Sequence, residues 1–141
     1  MQNLNTYNNF YFVGIGGIGM SALARYFHAA GKNVLGYDKT ETKLTTELQN
    51  EGISISFEDV VDEKFSELNK ENTLVIYTPA IKVLGILDYF NQNGFEVLKR
   101  AKVLGLITEN TECISVAGTH GKTTTSSLVA HLCKVANLPF S

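Results

Sequence analysis

The chain has 141 residues, 44% of them hydrophobic and 18% charged, which suffices for one compact domain and part of another and excludes a complete two-domain enzyme. Twelve Lys and Arg against fourteen Asp and Glu leave a net charge of -2, and with no basic run beyond Lys99-Arg100 the balance argues against a nucleic-acid partner. No apolar run approaches the roughly 20 residues of a membrane helix and the Asn-rich amino end lacks an apolar leader core, so a soluble, cytoplasmic protein without membrane contact is expected.

Apolar runs rich in aromatic and β-branched residues alternate with helical patterns, the signature of βαβ units around a parallel sheet. Phe10 to Gly14 reads as a first strand and Ile18 to Ala30 as a helix, with Met20, Leu23, Ala24 and Phe27 on one face and Gly31 closing it. Asn33 to Tyr37 is a second strand with Asp38 at its carboxyl end. Lys43 to Glu51 is a helix ended by Gly52, and Ile53 to Phe57 alternates as a third strand. Asp59 to Asn69 reads as helix and loop. Thr73 to Thr78 is almost wholly apolar, as a parallel strand covered on both faces should be, and Pro79 stops it. Ile86 to Asn93 reads as a helix capped by Gly94, Phe95 to Leu98 as a fifth strand and Arg100 to Thr108 as a short helix.

The polar break Glu109 to Glu112 marks a boundary, giving domains 1–110 and 111–141. Beyond it Cys113 to Ala117 has β character, and Thr123 to Ala136 reads as a helix with Leu128, Val129 and Leu132 on its apolar face. One strand and one helix cannot enclose a core, so this part resembles the start of a larger domain. Its apolar face is expected to pack on the first domain or on a second copy, as a homodimer. Cys113 and Cys133 lie twenty residues apart with no second Cys pair, which fits buried thiols rather than a disulfide framework or a zinc knuckle.

Two glycine-rich loops carry chemistry. The first, Gly14-Ile15-Gly16-Gly17-Ile18-Gly19, has the form G-x-G-x-x-G directly between a strand and a helix, where peptide N–H groups at the helix start can face a pyrophosphate. Asp38, nineteen residues past Gly19, stands where an acid can bond a ribose hydroxyl; as a solvent-exposed loop acid it would have no such role. The second loop, Gly118-Thr119-His120-Gly121-Lys122-Thr123-Thr124, again joins an apolar run to a helix. Its Gly-Lys-Thr core offers an amide cradle, an ammonium for the β and γ phosphates and a hydroxyl for magnesium. Its spacing is shorter than the usual P-loop, because Val116 occupies the position of the first glycine. One dinucleotide-like and one triphosphate-like loop suggest two phosphorylated ligands.

These loops and the words around them resemble the Mur ligases of peptidoglycan synthesis, and within that family the alanine-adding branch. The matching stretches are YFVGIGGIGMSALARYF at Tyr11 to Phe27, GYD at Gly36 to Asp38, YTPAI at Tyr77 to Ile81, LKRAKVLG at Leu98 to Gly105 and VAGTHGKTTTSS at Val116 to Ser127. The resemblance implies an α/β fold: a Rossmann-like parallel sheet with flanking helices, then the first strand, P-loop and helix of a truncated ATPase domain. It implies that Gly14 to Gly19 holds the uridine diphosphate of UDP-N-acetylmuramate, that Asp38 lies near the nucleoside, and that Thr78, Pro79, Ala80, Ile81 and Arg100 line the UDP-sugar cleft. A surface ion pair is the plainer role for Arg100. It implies further that Gly118 to Thr124 binds ATP, with Lys122 on the phosphates and Thr123 on magnesium. The activity implied is an ATP-dependent ligation of L-alanine to the muramate carboxylate, and because the family places further machinery after the P-loop helix, this chain alone is expected to be inactive.

Two other readings stay open. A nicotinamide-dependent Rossmann oxidoreductase would use Gly14 to Gly19 and Asp38 but leave Gly118 to Thr124 unexplained, and a regulatory module would sense a UDP-sugar without catalysis. His120 either approaches a phosphate or shapes its loop. His28 and His131 have no partners at metal-ligand spacing and read as surface or core histidines, and Tyr7, Tyr11 and Phe12 as core or sheet-edge residues.

Overall fold

The computed structural model describes residues 4–61, 65, 67–81, 85–109 and 111–138. The chain divides into two compact units, Met1–Asn110 and Thr111–Ser141. In the first, a 3-10 turn at Leu4–Thr6 precedes β1 (Asn9–Val13), α1 (Ile18–Ala29), β2 (Asn33–Tyr37), α2 (Lys43–Asn50), β3 (Ser54–Ser56), β4 (Thr73–Tyr77), α3 (Gly85–Gln92), β5 (Glu96–Lys99) and α4 (Arg100–Glu109). All four strand pairings are parallel, in the order β3-β2-β1-β4-β5.

Both central strands are apolar along their length because both sheet faces are covered. Phe10 and Phe12 of β1, with Leu74 and Ile76 of β4, point to one face, where they meet Met20, Leu23, Ala24 and Phe27 of α1, Leu48 of α2 and Val103 of α4. Tyr11, Val13 and Val75 point to the other, against Phe65 and against Ile86 and Phe90 of α3. Side chains as large as Phe10, Phe12 and Phe90 are fully buried, each stabilising the fold by about 1.5–3 kcal/mol relative to exposure. With α1 and α3 on opposite faces, the chain reverses its winding between β1 and β4, and the crevice beyond the carboxyl ends of those strands is where a doubly wound sheet takes its ligands.

Helices α1, α2 and α3 end alike. After α1, Gly31 (φ 75°) donates to the His28 carbonyl at 3.0 Å and Lys32 to the Phe27 carbonyl at 3.1 Å, a Schellman closure repeated at Gly52 and Gly94. Helix α2 opens with a capping box in which the Thr42 and Thr45 side chains each accept from the other's backbone N–H, at 3.2 and 2.8 Å.

In the second unit, α5 (Lys122–Val135) closes through Asn137 (φ 54°) rather than a glycine. Here two sequence expectations are corrected. Cys113 to Ala117 forms no strand: an extended segment becomes a strand only by pairing with another, and no described residue pairs with it. Cys113 is exposed and Cys133 half-exposed, so neither is a buried thiol; no described residue of this unit is buried. Leu128, Leu132 and Val135 of α5 are likewise exposed. In the first unit, the third strand is only Ser54–Ser56, and Asp59 to Val61 are not helical, with 62–64 and 66 outside the described residues. Among the described residues no helix is long and apolar enough to cross a membrane.

Candidate functional site

Register builds the site. Ser56, Tyr37, Val13, Tyr77 and Lys99 form one row across the sheet, so the residues that follow, among them Asp38, Gly14, Thr78 and Arg100, emerge side by side along the carboxyl rim, about 4.8 Å apart from strand to strand. Sequence-distant candidates are thus brought together by strand pairing alone.

The glycine turn is the hub of that rim. Gly14 (φ 87°) donates to the Tyr37 carbonyl at 2.7 Å, and Gly17 donates to the Gly14 carbonyl at 3.3 Å, closing the turn before α1. Each motif glycine then accommodates a different neighbour. A Cβ on Gly14 would stand 2.5 Å from Ile81 Cδ1 and 3.3 Å from Thr78 Cγ2. On Gly16 it would stand 2.8 Å from Asp38 Oδ2 and 2.9 Å from Thr45 Cγ2, and on Gly19 it would overlap the Arg100 guanidinium. Ile15 is fully buried beneath the turn and Ile18 stands 87% exposed above it, so only the backbone of Ile15 faces the rim. Thr78 and Ile81 close a tight turn, with the Ile81 N–H donating to the Thr78 carbonyl at 3.1 Å, and leave Pro79 and Ala80 exposed at its tip.

Helix α1 starts without a side-chain cap: Gly17 is its N-cap, and helical geometry leaves the N–H groups of Ile18 and Gly19 without intrahelical acceptors. Arg100 lies over that same start, exposed, and forms no ion pair among the described residues. A cation set against the partially positive end of a helix is unfavourable by itself, and the pair becomes favourable when an anion lies between them. The start of α3, also on the rim, is by contrast already satisfied, because Asp59 accepts from the N–H groups of Gly85 and Ile86, both at 2.9 Å. Asp38 accepts from Gly16 N–H at 2.7 Å and Thr40 N–H at 3.1 Å. Burial, and then the charges of Asp59 and Asp38, raise the Tyr37 phenol above its ordinary pKa.

In the second unit, Gly118 (φ 153°) and Gly121 (φ 77°) shape the loop, and Gly121 is the N-cap of α5. Lys122 folds back so that its ammonium donates to the Gly118 carbonyl at 2.8 Å, while Thr119 Oγ1 and His120 Nδ1 lie 3.2 Å apart. Thr123 and Thr124 are exposed in the first turn, and no side chain caps the helix. Open N–H groups, an ammonium over the loop and a hydroxyl beside them make a donor set that fits a triphosphate and its magnesium. Among the described residues no group of three or more His, Cys, Asp or Glu could hold a metal by itself. Of the remaining histidines, His28 bonds the Glu51 carbonyl at 2.9 Å and His131 is exposed.

Sequence reading missed Thr45, Tyr37 and Asp59 as neighbours of the site. The Thr-x-x-Thr spacing at Thr42 and the lone glycine Gly36 inside a strand were the available signals for the first two; Asp59 reaches α3 across 26 residues and leaves no local signal.

The fold and rim define an α/β domain of the doubly wound, Rossmann-like class. Residues 9–111 match the Mur ligase family, catalytic domain. The chain belongs to the Mur ligase family, which decides against the nicotinamide oxidoreductase. It is 58% identical over 132 residues to a UDP-N-acetylmuramate–L-alanine ligase of Flavobacterium psychrophilum, covering 93% of this chain and 30% of that protein. With the ligase of the same name from Christiangramia forsetii it shares 49% over 138 residues, 95% of this chain and 30% of the relative. The crystal structure of a UDP-N-acetylmuramate-alanine ligase from Thermotoga maritima superposes with a TM-score of 0.76 at 35% identity, covering 89% of this chain and 29% of that one. A UDP-N-acetylmuramate:L-alanyl-gamma-D-glutamyl-meso-diaminopimelate ligase from Neisseria meningitides gives 0.75 at 26% identity, covering 92% and 40%. The chain spans about 30% of the length of the curated relatives it matches.

Proposed function

We propose that the chain belongs to an ATP-dependent UDP-N-acetylmuramate:L-alanine ligase of peptidoglycan-precursor synthesis, in which the first unit holds the UDP-sugar and the second holds the phosphates of ATP. The observation that carries the reading is Arg100 set over the uncapped start of α1. The diphosphate of the sugar nucleotide would lie between them, with the turn Gly14 to Gly19 beneath it and Thr78, Pro79, Ala80 and Ile81 along its flank. Asp38, at the β2 side of the rim, belongs to the same site.

In the second unit Gly118 to Thr124 supplies the phosphate cradle, Lys122 the ammonium for the β and γ phosphates and Thr123 the hydroxyl on magnesium. Bound ATP with magnesium would supply the phosphoryl group that activates the muramate carboxylate toward the amine of L-alanine, leaving an amide, ADP and phosphate. Lys122 must release the Gly118 carbonyl to meet that phosphate, and its charge then stabilises the transferring group.

A thermal-shift titration of the chain with UDP-N-acetylmuramate, UDP, NAD and ATP tests the reading. A ligand at about 100 times its dissociation constant stabilises its site by roughly 2.7 kcal/mol. Stabilisation by UDP-N-acetylmuramate and not by NAD is the expected result, and stabilisation by NAD alone would overturn it. No phosphate release is expected from this chain by itself, which spans about 30% of its relatives.

A further inference from the structure

An acid at the end of β2 is expected to meet a ribose, yet both oxygens of Asp38 are engaged by the protein itself. Oδ2 accepts from Gly16 N–H at 2.7 Å and Oδ1 from Thr40 N–H at 3.1 Å, while the Asp38 N–H donates to the Ser56 carbonyl at 3.1 Å. One residue therefore ties together the turn after β1, the loop after β2 and the end of β3. The closure is tight on the Gly16 side, where a Cβ would stand 2.8 Å from Asp38 Oδ2 and 2.9 Å from Thr45 Cγ2. Thr45 is itself fully buried and held by the Thr42 capping box, so it cannot retreat cheaply. The glycine at position 16 thus answers to Asp38 and Thr45, which crowd it within the free protein.

We propose that Asp38 is a positioning residue of the anion site. Its carboxylate holds the Gly16 peptide, and through the turn aims the N–H groups of Ile18 and Gly19 at the anionic group beside Arg100, without bonding the ligand. Charge-assisted bonds to backbone N–H are among the stronger ones available for such a tie, and a turn held in its binding geometry before the ligand arrives spares the ordering cost of binding. The inference rests on the UDP-sugar reading of this site and deepens it. It parts from a ribose-binding acid in one respect: the effect of Asp38 must not depend on the ligand having ribose hydroxyls.

The test compares the chain with its Asp38→Asn variant, which is isosteric and keeps one acceptor oxygen. Calorimetric affinities for UDP, 2′,3′-dideoxy-UDP and inorganic pyrophosphate are measured together with ligand-free amide spectra. The variant is expected to weaken all three ligands by the same factor, roughly tenfold for the loss of one charge-assisted bond, and to move the amide resonances of Gly17, Ile18 and Gly19, whose N–H groups do not donate to Asp38. A loss confined to UDP would show a direct ribose contact and overturn the proposal, as would unchanged affinities or unmoved resonances. If the unaltered chain binds none of the three, the UDP-sugar reading fails, and the spectra still decide whether Asp38 sets the turn.

Discussion

Arg100, the first residue of α4, lays its guanidinium in the space that a Cβ on Gly19 would take, with its Cζ 3.0 Å from that position. The third glycine of the turn is therefore what admits the arginine to the start of α1. Gly19→Ala displaces only the far end of a flexible side chain and adds helix propensity, so folding stability should hold or rise by up to about 1 kcal/mol. The affinity for UDP-N-acetylmuramate should nevertheless fall about tenfold, equivalent to about 1.4 kcal/mol. Arg100→Ala should cost a similar factor, and the double variant little more than either alone, because both remove the same guanidinium from the same place. Calorimetric titration of the four proteins checks this, and additive losses would separate Gly19 from Arg100.

Why the site was legible follows from how its parts are encoded. Gly14, Gly16 and Gly19 keep a fixed spacing directly after an apolar strand, and Asp38 stands just past the next strand's end, so a one-dimensional pattern singled out these four, whereas Thr78 and Arg100 came only with the family resemblance. Their juxtaposition depends on register, which the sequence does not display. The partners that crowd each glycine were equally hidden, since Ile81 lies in another βα loop and Thr45 inside α2. The reading of Cys113 to Ala117 as a strand failed for a related reason: β character is a property of residues, whereas a strand is a property of pairs.

Asp59 shows what a long-range contact contributes without a local motif. Its two oxygens cap α3 from 26 and 27 residues away, each at 2.9 Å, and α3 carries Ile86 and Phe90, both fully buried. Asp59→Ala should lower stability by about 1 kcal/mol, the usual cost of a lost helix cap, and Asp59→Asn by less, since one acceptor remains. It should also lower the Tyr37 pKa, which stays raised only through burial and the Asp38 charge. Denaturant unfolding and an ultraviolet titration of the tyrosines read the two effects separately.

Tyr7 predicts an alkaline sensitivity. Its hydroxyl donates to Glu96 Oε2 at 2.5 Å, tying the segment before β1 to β5. Burial first, and then the bond and charge of Glu96, push the phenol from 10.0 up to about 12. A raised folded pKa means that the protonated phenol is favoured by folding, so its contribution is complete below pH 10.0 and is lost as the pH climbs to about 12. Tyr7→Phe should cost about 1 kcal/mol at neutral pH, in keeping with one lost hydrogen bond. It should also flatten the stability profile over that alkaline interval, and an equally steep decline in the variant would assign the effect to another group.

Gly36 couples the sheet to the turn. A Cβ there would stand 2.6 Å from Ile15 Cδ1, 2.9 Å from Ile15 Cβ and 3.0 Å from the Phe12 carbonyl oxygen. The last two atoms belong to or adjoin the backbone of β1 and its turn, so the strain of Gly36→Ala has to be relieved by moving Ile15, which is fully buried. Overpacking of this kind costs about 1–3 kcal/mol. Because Ile15 sits between Gly14 and Gly16, the same displacement should weaken UDP-sugar binding, although Gly36 itself lies beneath the rim. Ile15→Val removes the Cδ1 contact and leaves the Cβ contact, so in the Gly36→Ala background it should recover part of both losses while being mildly destabilising by itself. Unfolding and binding measured on the two single variants and the double test that coupling. Simple additivity would mean that Gly36 is required by the Phe12 carbonyl and that the turn above it is set independently.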